Sequence, residues 1–123
     1  MKFTLEVDDN QLQQIAQGLE LMARIKLGQF SHIESLFWNK EYDYMEFSKV
    51  TNQMKCFIFP ELRGGYYNID SKESKVTGAF SDYELYKQML YKLSNAKSSN
   101  NIHSEKFTCE EEKNKIKISV DKE

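Results

Sequence analysis

Between Lys2 and Gly28 the apolar residues change period once, from two to 3.6, and a chain that does this needs both strand and helix. Phe3, Leu5 and Val7 alternate with Lys2, Thr4 and Glu6, the pattern of a half-buried strand. Asp8 then fits a helix N-cap, with Gln11 three residues on as its capping-box partner. Leu12, Ile15, Ala16, Leu19, Met22 and Ala23 follow at helical spacing and form one apolar stripe. Leu21 and Ile25 fall near the opposite side, which marks a helix covered from two sides, within the fold or by another subunit. Gly28 is a natural stop for this helix.

Downstream the pattern is less regular. Ser31 to Phe37 reads as a short second helix carrying Ile33, Leu36 and Phe37. Tyr42 to Val50 is rich in strand formers and reads as a strand turning at Thr51-Asn52. Cys56-Phe57-Ile58-Phe59 reads as a short buried strand closed by Pro60, the chain's one proline. Gly64-Gly65 marks a turn leading into an extended Tyr66-Tyr67-Asn68-Ile69, and 70–78 reads as a polar loop. Ser81 and Glu84 suggest a second capping box ahead of a helix carrying Leu85, Tyr86, Met89, Leu90 and Leu93. The Ser/Asn/Lys-rich stretch near 94–105 is expected to be mobile. Phe107 and Cys109, a turn at Glu112-Lys113-Asn114, and Ile116, Ile118 and Val120 suggest a terminal hairpin.

These elements predict one α+β domain over residues 1–123. Its antiparallel sheet would hold the N-terminal strand, the central strands and the C-terminal hairpin, packed against two to three helices. A chain of 123 residues is long enough to bury a core without staples. The formal net charge of −2 argues against a sequence-independent nucleic-acid binder. No stretch approaches the ~18 apolar residues that span a bilayer. Cys56 and Cys109 have no CxxC partner and no apolar leader precedes them, so both are expected to be buried, reduced, cytoplasmic thiols. His32 and His103 belong to no metal-ligand motif, no catalytic constellation is legible, and no cofactor is expected.

The candidate site rests on arginine. The chain has 15 lysines and two arginines, and each arginine lies beside glycine and aromatic residues. The planar guanidinium fork suits phosphate and carboxylate. Arg24 has two readings: a surface pair with Glu20 four residues earlier, or a phosphate-facing group near a helix end. Arg63 precedes Gly64, Gly65, Tyr66 and Tyr67. That segment is either a plain turn with a core tyrosine, or a cradle whose amides approach an anion while tyrosine rings stack a base. No Gly-Lys-Ser/Thr follows, so it is not a Walker loop. Glu41-Tyr42-Asp43-Tyr44-Met45-Glu46 sets tyrosines among acids, either an ordinary exposed strand or an anchor for a protein partner.

Arg24-Ile25-Lys26-Leu27-Gly28-Gln29-Phe30 resembles a motif of a small phage-encoded protein family, as does Phe59-Pro60-Glu61-Leu62 with the following Gly65-Tyr66-Tyr67-Asn68-Ile69. The resemblance covers most of the first 95 residues. The family it points to is that of phage sponge proteins, above all anti-Thoeris sponges for cyclic ADP-ribose isomers. Anti-CBASS sponges for cyclic oligonucleotides are the second type, and their all-helical build disagrees with the alternating segments here. The resemblance implies a non-enzymatic, oligomeric protein of the host cytoplasm that binds a cyclic nucleotide messenger without cleaving it. It makes Arg24, Gln29, Arg63, Tyr66 and Tyr67 the candidate contacts. The rival expectation is a phage protein that inhibits a host enzyme by direct protein–protein binding.

Overall fold

The computed structural model describes residues 1–100 and 117–121. Its element order is β1 (Lys2–Glu6), α1 (Asp9–Lys26), a 3-10 helix (Phe30–Phe37), α2 (Tyr44–Ile58), α3 (Lys72–Thr77), α4 (Ala79–Asn100) and β2 (Lys117–Asp121). The α+β character holds, but helices dominate and the sheet has two strands.

The first helix forms as its sequence directs. The Asp8 carboxylate accepts from the Gln11 backbone N–H at 2.7 Å, and the Gln11 side-chain oxygen accepts from the Asp8 N–H at 3.0 Å. Two donors that a helix start would leave orphaned are satisfied together. At the other end Gly28 adopts φ +95°, and a Cβ built there would stand 2.9 Å from Leu62 Cδ1. Both the left-handed backbone and the close approach require glycine.

The core is the seam between α1 and α4. Ala23 and Ala79 are completely buried, Leu27 nearly so, and Tyr67, Ile69 and Tyr83 pack around them. Small residues let two helix backbones approach closely, while the aromatics close the sides. An ion pair from Lys26 to Asp82 at 2.6 Å ties the end of α1 to the first turn of α4.

Several expectations are corrected. Tyr42–Val50 and Cys56–Phe59 are not strands: 44–58 is the continuous helix α2, capped by Asp43, whose carboxylate accepts from Met45 N at 2.9 Å and Glu46 N at 3.3 Å. A local cap and fifteen helical residues outweigh the β-propensity of Tyr, Phe and Val. The inward side of α2 is largely polar, so the apolar period was hidden. Phe57 is 88% exposed, the reverse of a buried-strand residue. Cys56 on the same turn is exposed rather than buried. Residues 66–69 are irregular, and part of the expected 70–78 loop is helix α3, capped by Ser71 and ended by Gly78 at φ +86°. Ser81 lies inside the first turn of α4, so it caps nothing, because the helix already starts at Ala79.

Residues 94–100, expected to be mobile, continue α4 to Asn100, and 101–105 lie outside the described residues. The strand expected at Phe107–Cys109 and its turn at 112–114 also lie outside them. β2 pairs antiparallel with β1, matching Phe3 with Val120 and Leu5 with Ile118. Every residue of this ribbon is exposed, so β1 is not the half-buried strand its alternation suggests, and no helix lies along the sheet among the described residues. None of the described helices is long and apolar enough to cross a membrane.

Candidate nucleotide-binding cleft

Arg24 is built into position from two sides. Its Nε donates to Glu20 Oε1 at 2.8 Å and its Nη1 donates to Gln29 Oε1 at 2.9 Å. The first bond is the i,i+4 pair of α1. The second exists because Gly28 turns the chain back so that Gln29 lies beside the helix end, with its N–H bonded to the Arg24 carbonyl at 2.9 Å. These bonds use two of the five guanidinium donors, so the fork is oriented and not exhausted.

A cleft of about 440 Å³ opens beside this group, within the range of roughly 300–1,000 Å³ typical of small-molecule sites. One wall comes from the α1 end and the 3-10 helix, with Arg24, Gln29, His32 and Glu34. The other is α2, which presents Ser48, Thr51, Asn52 and Lys55, residues at i, i+3, i+4 and i+7 on one helical face. Gly65 and Tyr66 form a lip, held to α2 by a hydrogen bond from Lys55 Nζ to the Gly65 carbonyl. Arg24, Gln29 and Tyr66 also border a neighbouring recess of about 230 Å³ with Asn68 and Tyr83.

The cleft carries charges of both signs, from Arg24 and Lys55 and from Glu34. Burial opposes ionisation of Glu20, but hydrogen bonds from Tyr86 and Arg24 and the arginine charge outweigh it and hold its carboxyl below the usual range. Burial lowers the His32 pKa, and the nearby Arg24 charge lowers it further, so the imidazole is neutral at pH 7 and can accept or donate one hydrogen bond. Tyr86 is pushed up to about 12, first by burial and then by its hydrogen bond to Glu20. A phenol whose pKa is raised on folding stabilises the fold below its ordinary value of roughly 10. That contribution is lost as pH rises through the folded value. A thermal-melt series from pH 9 to 12 should therefore show a steeper loss of stability for the native chain than for Tyr86→Phe; parallel curves would disprove the coupling.

The five residues proposed from sequence separate. Arg24, Gln29 and Tyr66 line one cleft. Arg63 is exposed and is not among the residues lining it. Tyr67 is turned toward the core: its N–H bonds the Leu27 carbonyl at 2.9 Å and its ring meets Phe59 edge-on at 5.9 Å. His32, Glu34, Ser48, Asn52 and Lys55 were missed. The polar i, i+4, i+7 spacing of Ser48, Asn52 and Lys55 was legible, but only to a reader who had assigned 44–58 as helix. Among the described residues no group of three His, Cys, Asp or Glu could hold a metal. No protein-family model, curated protein or solved structure matches this chain.

Proposed function

We propose that this protein is a phage anti-defence sponge that binds a host cyclic nucleotide signal in the host cytoplasm and sequesters it without cleavage. The observation that carries the reading is the doubly held Arg24 guanidinium in a cleft shared with Lys55 and Tyr66. Two cations answer a pyrophosphate or phosphodiester, the tyrosine ring offers a plane for a base, and Gln29 and Asn52 carry amides for base edges. The sequence motifs around Arg24 and Tyr66 supply the phage setting and favour a cyclic ADP-ribose isomer, with cyclic oligonucleotides as a second ligand class.

Capture of a scarce signal needs nanomolar affinity, about −12 kcal/mol. Charge-assisted bonds supply roughly 1.5–3 kcal/mol each, and one stacked base roughly 1–3 kcal/mol. The costs of association make one chain's contribution thin. A homo-oligomer that brings a second chain to the cleft fits this reading.

Calorimetry against cyclic ADP-ribose isomers and cyclic di- and trinucleotides tests the binding. Labelled messenger released intact after heat denaturation supports capture, altered messenger means catalysis, and no binding at micromolar concentration rejects the proposal. The second reading, direct inhibition of a host enzyme, is favoured by one feature. Trp38 is 84% exposed, and Tyr44 and Met45 are exposed beside Glu41, Asp43 and Glu46. A single stoichiometric host protein retained by the chain, with no nucleotide bound, would favour it.

A further inference from the structure

The cleft is chemically polarised along α2. Lys55 stands at one end beneath the Gly65–Tyr66 lip, and Ser48 stands seven residues earlier, about 10 Å away along the helix axis. At the Ser48 end the group that faces it is a carboxylate. Glu34 Oε1 accepts from Ser48 Oγ at 3.0 Å. The Tyr44 phenol lies near the same carboxylate, which raises its pKa by hydrogen bonding and by charge. A carboxylate has about four lone-pair sites, so the bond from Ser48 leaves room for further donors.

An acceptor-only group held by Ser48, in a cleft whose charged groups are otherwise the cations Arg24 and Lys55, suits a ligand with hydroxyl donors. Phosphate alone would be repelled there. A ribose attached to a phosphate satisfies both ends, as acidic residues satisfy ribose hydroxyls in dinucleotide sites. We propose that Glu34, held by Ser48, accepts hydrogen bonds from ribose hydroxyls, making this a site for ribonucleotides rather than deoxyribonucleotides, with the phosphate at the Arg24–Lys55 end. Glu34 is thus a specificity-determining residue. The inference rests on the nucleotide reading and sharpens its ligand class.

The test pairs each ribonucleotide with its analogue lacking the ribose 2′-hydroxyl: cyclic ADP-ribose with 2′-deoxy cyclic ADP-ribose, and cyclic di-AMP with cyclic di-dAMP. Titration of the native chain should show at least about tenfold preference for the ribonucleotide, the ratio expected from one hydrogen bond to a charged group. Glu34→Gln should reduce that preference to below roughly threefold, a ratio read within one protein, so any general change in anion affinity from losing the carboxylate charge cancels. The native-chain ratio needs no variant, so a poorly folding substitution does not obscure the answer. Equal binding of ribo and deoxy forms overturns this inference and leaves sequestration standing. Binding of neither form removes both.

Discussion

Arg24→Gln is expected to weaken binding of a cyclic nucleotide by roughly 100-fold, because about two charge-assisted hydrogen bonds to phosphate disappear. The guanidinium is oriented before any ligand arrives, by Glu20 on its Nε and Gln29 on its Nη1, so little ordering cost offsets those bonds. The fold should tolerate the change. Arg24 and Glu20 keep 31% and 26% of their side-chain surface exposed, and pairs of that kind contribute only about 0–1 kcal/mol. Arg24→Lys is the informative control: it restores charge but not the fork, and should recover only part of the affinity. Arg63→Gln should alter affinity by less than about threefold, since Arg63 is exposed and lies outside the cleft lining. Calorimetry beside thermal melts reads both quantities. An Arg24→Gln protein that binds as tightly as the native chain would remove the guanidinium from the site.

The different fates of the two arginines show what the sequence could convey. Asp8, Gln11 and Gly28 specify α1 through local hydrogen bonds and backbone conformation, so that helix and the place of Arg24 at its end were legible. The helix at 44–58 was not, because hydrophobic periodicity assumes that a helix turns apolar residues inward. Here Ser48, Asn52 and Lys55 face the cleft while Val50, Met54, Phe57 and Ile58 stand exposed. A polar cleft wall inverts the usual pattern, and the inversion looked like a strand. Arg63, Tyr66 and Tyr67 were grouped because they are adjacent in sequence. In the irregular segment after Gly65, one tyrosine reaches the cleft lip and the next meets the core, a division that only tertiary packing decides.

That division gives the largest effect on stability. Phe59 is 8% exposed at the end of α2, its ring edge-on to Phe30 at 6.1 Å and to Tyr67 at 5.9 Å. It also lies against Gly28, where a Cβ would come within 3.8 Å of it. Phe59→Ala should therefore cost about 3–5 kcal/mol, the lost transfer energy plus an unfilled cavity. Against the total of roughly 5–15 kcal/mol typical of a domain, that is a large fraction. The melting temperature should fall by roughly 10–20 °C. Phe57→Ala, two residues away at an 88% exposed position, should change stability by no more than about 0.5 kcal/mol. A buried strand over 56–59 would make both losses large, so the ratio of the two shifts separates helix from strand without a new structure. Phe30 and Gly28 also line the cleft, so ligand affinity in the Phe59→Ala protein should fall even at temperatures where it remains folded. Equal losses for the two phenylalanines would disprove the packing described for the end of α2, and with it the wall on which Lys55 stands.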